Sequence, residues 1–489
     1  MSFSFKQILL IIVLLNTSDL TSQDIQKLES NWHYKSNDSM AWLPCHIPNT
    51  IHKILFDSLL IADPFYSNNE DSLQYIGQRD YQFQTSFNIG TQTLSRRIQE
   101  LHLTNIDTYA DIYLNEILIG HTNNAFRAWK FDISKQLKLG LNYLRINLKS
   151  ADRISIELYN QLPNQLPGGE RVTCRKPQFH FGWDFGPKYL SCGILSVPFL
   201  TSYDDIELTN SSVHTKVLSR SHAHIELNLE INSAKSQIIK LQWSLDNQLF
   251  TNNLNLTEGK NNIKINAKLK NPKLWWPNGS GDSFLYDTRL QLINSENKII
   301  LIKHFNSGIR LIKLIHKQDK WGKSFYFNIN GVDIFAKGAN YIPQDIFQLE
   351  NHPVHKILND AFECGFNMLR VWGGGQYESD EFYETCDKLG IIIWQDFMFA
   401  CGMYPGDKAF NDNIQIEAEE QIKRLSRFAC IGLWCGNNEN NEAWNRWGWQ
   451  IGLGKDTKER LWSDYQNLFN NILPSVVKLY SNNNSYWES

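Results

Sequence analysis

The sequence has no Cys-x-x-Cys pair, although it carries eight cysteines, at 45, 174, 192, 364, 386, 401, 430 and 435. It also has no His/Cys cluster at ligand spacing, so a zinc site has no support and neither metal nor cofactor is expected. Nor is there a basic block, and the net charge is −3. A nucleic-acid partner is therefore not expected. Beyond the N-terminus no apolar run is long enough to cross a bilayer, so the mature chain is expected to have no membrane partner. Cys174 and Cys192 flank one aromatic loop and would pair in an oxidising compartment. Cys401 and Cys435 form a second candidate pair near two strand ends.

The 489 residues are 42% hydrophobic and 13% aromatic, enough for large cores. That length suggests about three domains. The sixteen tryptophans serve packing, but flat aromatic faces also suit sugar rings. At the N-terminus, Lys6 precedes the apolar run Ile8–Leu15 and the small residues Thr17, Ser18, Thr21 and Ser22. This pattern predicts a signal peptide over residues 1–22, hence a secreted or periplasmic protein.

From Asp80 to Lys149 apolar residues recur with period two: Tyr81, Phe83, Phe87; Leu101, Leu103; Ala110, Ile112, Leu114; Leu144, Ile146, Leu148. This predicts an antiparallel sandwich. A second alternating stretch, about 205–314, has the length of one immunoglobulin-like sandwich. Between them, Gln178–Pro187 (QFHFGWDFGP) mixes aromatics with glycine, an acid and proline. It reads either as a loop whose aromatics are held for a purpose or as a packed plug between domains. Asp184, between Trp183 and Phe185, would be a partly buried acid, which requires a partner or a ligand hydroxyl.

After about Lys313 the period changes. Predicted strands at 333–340, 367–372, 391–396 and 430–435 alternate with helical stripes at 352–365, 379–389, 414–425 and 461–479. Ser485–Ser489 begins a fifth strand. Repeated β-then-α units build a parallel sheet. Most of these strands end in polar or glycine clusters, as in a barrel with its site on the C-terminal face. Four complete units and the start of a fifth are present, whereas a closed barrel needs eight. The fourth strand ends in Gly436-Asn-Asn-Glu-Asn440. Glu439, with an amide on either side, is a candidate general acid; a loop capping the next helix is the plainer reading.

Taken in order, Asp63-Pro-Phe-Tyr66, Arg175–Pro187, Trp275-Trp-Pro-Asn-Gly279, Lys337-Gly-Ala-Asn340, Arg370-Val-Trp-Gly-Gly-Gly375, Trp394–Cys401 and Trp434–Asn440 resemble the β-mannosidases of glycoside hydrolase family 2. After the predicted signal peptide (1–22), the resemblance implies a jelly-roll β-sandwich (23–203), an immunoglobulin-like β-sandwich (204–314) and the N-terminal half of a (β/α)8 TIM barrel (315–489). It implies retaining hydrolysis of terminal β-mannose from the non-reducing end of an oligosaccharide, the expected partner. Glu439 would be the acid/base, and Asn438 would hold the axial 2-hydroxyl. Trp183 and Asp184 would recognise the terminal sugar. Arg370, Trp372 and Trp394 would serve the pocket. The family's nucleophile, a glutamate at the end of strand seven, has no counterpart here. Asp396 and Glu488 top neighbouring strands, but nothing marks either as a substitute. The chain is therefore expected to be an incomplete fragment, inactive alone. Two other readings are a family 2 β-galactosidase, β-glucuronidase or exo-glucosaminidase, and a non-catalytic carbohydrate-binding protein.

Overall fold

The computed structural model describes residues 24–347, 354–481 and 484–489; the predicted leader lies outside them. Strand Tyr81–Ile89 turns Tyr81, Phe83, Thr85, Phe87 and Ile89 inward, as its period requires. It is a central strand of a six-stranded antiparallel sheet. A four-stranded sheet, including Ile98–Thr104 and Phe199–Tyr203, forms the other layer. Phe83, Leu103, Ile112, Leu144 and Ile146 are fully buried between them.

The second sandwich packs a three-stranded sheet on a four-stranded one. In the three-stranded sheet, the hairpin Ile206–Leu218 with His222–Ser233 is joined by Gly259–Lys270, which returns from the other sheet to pair with His222–Ser233. The sandwich core holds Leu227, Ile231, Leu241, Trp243 and Leu290.

A five-stranded parallel sheet follows, in chain order. Its strands are β1 (Gly338–Tyr341), β2 (Met368–Val371), β3 (Ile392–Asp396), β4 (Ile431–Cys435) and β5 (Ser485–Trp487). Between them run α1 (Val354–Glu363), α2 (Asp380–Leu389), α3 (Lys408–Leu425), α4 (Asn440–Arg446), α5 (Lys455–Gln466) and α6 (Leu473–Tyr480). Helix α2 has the predicted ends: Ser379 accepts from Phe382 N, and Gly390 takes the left-handed cap at φ 69°. All five residues of β4 are buried, as a doubly covered parallel strand requires. Helices α5 and α6 are joined by a π-helical turn, Asn467–Ile472, so the single predicted stripe is one interrupted rod.

Three expectations need correction. The predicted strand 333–340 is two elements. Val332–Ile334 pairs antiparallel with Tyr326–Ile329 in a small separate sheet, and only Gly338–Tyr341 joins the parallel one. All eight cysteines are free: the Cys401 thiol faces Glu439, and the Cys435 thiol faces the Asn437 carbonyl. Asp184 is exposed rather than partly buried, because Trp183 and Gly186 pair across a tight turn that puts Asp184 and Phe185 at its tip.

Candidate active site

The C-terminal ends of β2 to β5 converge on one cleft of about 470 Å³, lined by Arg370, Trp394, Asn438, Glu439, Asn441, Glu442, Trp487, Glu488 and Ser489. Four of the predicted residues therefore meet: Glu439, Asn438, Arg370 and Trp394.

Arg370, on β2, is the organiser. Its Nη2 donates to Asp396 Oδ2 (2.7 Å) and to Asn438 Oδ1 (3.0 Å), its Nε to Asp396 Oδ1 (3.2 Å), and its Nη1 to Asn340 Oδ1 (3.4 Å). One guanidinium thus ties the tops of β1, β3 and β4 together, which its fixed fork of donors allows. Asp396 is fully buried and also accepts from Trp394 Nε1 (3.0 Å) and Gly373 N (2.9 Å). Burial pushes its carboxyl up, and the Arg370 charge and hydrogen bonds and the Gly373 amide oppose that. Position 373 must be glycine, since a Cβ there would come within 2.8 Å of the carbonyl oxygens of Phe397 and Phe399.

Glu439 sits four residues beyond the end of β4 at φ 66°, a left-handed conformation that costs a glutamate about 1–2 kcal/mol. It occupies the N-cap position of α4 but makes no side-chain cap bond. Asn437 does that work, accepting from Asn440 N (3.0 Å). The capping reading of the Asn-rich loop falls to Asn437, and the Glu439 carboxylate is left facing the cleft. Glu439 Oε2 accepts from Asn438 Nδ2 (2.9 Å) and lies 3.5 Å from Cys401 Sγ. Burial, and then the Glu439 charge, push the Cys401 thiol up to about 11. It is therefore a protonated donor near neutrality.

Trp183, Asp184 and Trp372 do not line this cleft. Trp372 is buried in the apolar cluster of the first sandwich and meets Trp183 and Phe185 edge-on, at 5.1 and 5.5 Å between ring centroids. Trp183 connects to the site through Arg171, whose guanidinium lies 5.1 Å from the indole. Arg171 Nη1 donates to the carbonyl of Ala400 (2.8 Å), and Nη2 to that of Cys401.

Sequence reasoning missed the Cys401 contact, Arg171, and the wall formed by Asn441, Trp487 and Glu488. The signal for Asp396 was present: it is two residues beyond Trp394 on a strand, hence on the same face. A Glu100–His102–Glu207 cluster has metal-like proximity. Lys130 Nζ stands 2.7 Å from both carboxylates, so the cluster already holds a cation of its own.

Two antiparallel sandwiches thus precede a strand-ordered parallel sheet that carries a carboxylate beyond its fourth strand. Residues 32–196 match the glycosyl hydrolase 2 galactose-binding domain-like family, and residues 206–310 match glycosyl hydrolases family 2. The chain belongs to glycoside hydrolase family 2. It is 32% identical to the β-mannosidase of Bos taurus over 478 residues, 92% of this chain and 53% of that one. It is 32% identical to β-mannosidase B of Emericella nidulans over 473 residues, 92% and 55% of the two chains. The crystal structure of the β-D-mannosidase from Dictyoglomus thermophilum superposes with a TM-score of 0.90 at 36% identity, covering 95% of this chain and 57% of that one. An exo-chitosanase of Amycolatopsis orientalis shares the fold at a TM-score of 0.74 and 16% identity. The chain spans about half the length of the curated relatives it matches.

Proposed function

We propose that this chain carries the acid/base and much of the sugar site of an exo-acting, retaining β-mannosidase that removes terminal non-reducing β-D-mannose from oligosaccharides. The parallel region is read as the first half of a (β/α)8 barrel, and the two sandwiches as its jelly-roll and immunoglobulin-like companions. One observation carries the proposal. In a chain similar to β-mannosidases, Glu439 tops β4 in a cleft with Trp394 and Arg370, free of capping duty and bonded to the Asn438 amide. In this reading Glu439 protonates the departing glycosidic oxygen and then takes a proton from the water that opens the glycosyl-enzyme. Asn438 holds the 2-hydroxyl, with Arg370 and Trp394 lining the pocket. Retention needs a second carboxylate about 5–5.5 Å from the first. That nucleophile is assigned to the barrel half outside these residues, so the 489-residue chain alone turns over no mannoside. The leader predicts export.

Electrostatics favour a neutral sugar over a uronic acid. Three carboxylates, Glu439, Glu442 and Glu488, line the cleft, and its one guanidinium is already paired with Asp396. An anionic sugar would meet like charge.

The test is to express the chain extended to its relatives' length and assay aryl β-mannoside beside aryl β-glucoside, β-galactoside and β-glucuronide. The mannoside is expected to be cleaved fastest, and Glu439→Gln to lower kcat at least ~100-fold. Preference for another glycoside, or an unchanged rate in Glu439→Gln, would overturn the proposal.

A further inference from the structure

The far wall of the cleft carries a second carboxylate to which the mechanism above gives no task. Glu488 follows β5 directly. Its Oε1 accepts from the Tyr465 hydroxyl (2.6 Å) and from Asn441 Nδ2 (3.0 Å). Its main chain is fixed as well: its carbonyl accepts from Asn437 Nδ2 (3.0 Å), and the carbonyl of Trp487 accepts from Gly436 N (2.8 Å). The loop that presents Glu439 therefore also holds Glu488. Burial, and then the neighbouring Glu488, push the Tyr465 phenol up, so it stays a donor at any physiological pH.

The other oxygen is different. Among the described residues Oε2 has no hydrogen-bond partner and Glu488 forms no ion pair, yet the residue lines the cleft beside Glu439, Trp394 and Trp487. Glu488 is half-buried, with Oε1 held by two donors and Oε2 open to the cleft. Here one oxygen is fastened twice and the other is left as an acceptor of fixed direction. A carboxylate accepts only, so what it fits is a hydroxyl donor on a ligand flanked by indole faces.

We propose that Glu488 is a specificity-setting residue that accepts a hydroxyl of the bound sugar through Oε2, with Tyr465 and Asn441 orienting it. The proposal rests on the glycoside reading of the same cleft and adds to it a residue, a donor–acceptor sense and a two-residue support.

Glu488→Gln is the informative change. Its amide oxygen can still accept from Tyr465 and Asn441, while the group facing the cleft turns from acceptor to donor. The 489-residue chain is titrated with methyl β-D-mannopyranoside, methyl β-D-glucopyranoside and methyl β-D-galactopyranoside, read by the fluorescence of the cleft tryptophans. Glu488→Gln is expected to weaken mannoside binding about tenfold or more, the size of a lost charge-assisted bond, with an unchanged melting temperature. Tyr465→Phe, which frees the carboxylate to swing, is expected to cost about threefold. Among monodeoxy methyl β-mannosides, the one lacking the contacted hydroxyl should bind parent and Glu488→Gln alike. If the parent binds the mannoside and Glu488→Gln binds it equally, or if every deoxy analogue keeps the full difference, the Glu488 assignment is wrong and the cleft reading stands. If the parent binds none of the three glycosides, the cleft reading fails and takes the Glu488 assignment with it.

Discussion

The two sandwiches grip opposite ends of the parallel sheet, and they do so with different chemistry. The first reaches the C-terminal end. Arg175 lies wholly buried against Glu417 of α3 in a bidentate pair, at 2.7 and 2.9 Å, and donates to the carbonyl of Met398 (2.7 Å). Asn124 donates to the same carboxylate (2.9 Å), and Arg171 holds the carbonyls of Ala400 and Cys401. The second sandwich holds the other end through an indole, an amide and one guanidinium on carbonyls, and reaches α3 through the part-exposed pair Glu230–Lys423 (2.6 Å). Trp275 is fully buried and donates to the carbonyl of Asp387 (2.8 Å). Asn278 donates to the carbonyls of Phe362 and Phe366. Arg310, just past the last strand of that sandwich, donates to the carbonyls of Ala429 and Ile431 at the start of β4. The difference teaches a division of labour. A fully buried bidentate charge pair fixes the end where Glu439 must be placed, whereas main-chain bonds, packing and part-exposed ion pairs secure the other sandwich.

The harshest way to break this contrast is to remove one member of the buried pair. Arg175→Ala or Glu417→Ala is expected to cost about 3–5 kcal/mol, because the other charge is left buried and alone. Urea unfolding measures it. Arg175→Met with Glu417→Leu should recover most of the loss; if the double variant is as unstable as either single one, the pair is not the cause. On the other side, Trp275→Phe loses one buried hydrogen bond and part of an indole, about 1–3 kcal/mol. It should leave methyl β-mannoside affinity unchanged, and a changed affinity would dissolve the contrast.

A pH series sharpens it further. At the first seam, burial pushes the Glu420 carboxyl up to about 7 from an ordinary 4.5. Between those values the folded chain binds its proton more tightly than the unfolded chain does. Its contribution to stability is therefore full below about pH 4.5 and is lost as the pH rises through about 7. Glu420→Gln keeps an acceptor for Ala128 N, which the carboxylate now binds at 2.9 Å. The variant's urea midpoint should match the parent's below pH 4.5 and rise above it by pH 7.5. A constant offset at every pH would refute the assignment. The smallest effect in stability is expected of Arg171→Ala, about 1 kcal/mol. It should nonetheless weaken mannoside binding several-fold, because the Cys401 backbone beside Glu439 loses its anchor. Unchanged binding would separate the first sandwich from the site.

Much of this arrangement was legible in the residues. Period two placed Tyr81, Phe83 and Phe87 on one face, and Ser379 and Gly390 marked both ends of α2 because capping is local chemistry. Glu439 was legible because a buried apolar strand broke into amides and an acid. The buried pair was not. Glu417 lies one residue from Ala418 within a helix whose apolar stripe was read correctly, and nothing local distinguishes an acid that finds Arg175 from one that faces water. The exposure of Asp184 was missed because a tight turn, set by backbone pairing of Trp183 with Gly186, reverses the direction that its aromatic neighbours suggest. Glu488 was visible only as a strand-top acid. Its meaning depends on Tyr465 and Asn441, which reach it from two different helices.

The Arg175–Glu417 pair also sets a schedule. The two residues are 242 positions apart, which at roughly 5–20 residues per second of synthesis is about ten to fifty seconds. During that interval the last strands of the first sandwich and the whole of the second emerge from the ribosome, while the guanidinium destined for the interior stays in water, where a lone cation is no burden. The sheet that carries Glu439 can dock only after α3 arrives with its acid. The nascent chain therefore assembles its outer modules first and its proposed catalytic face last.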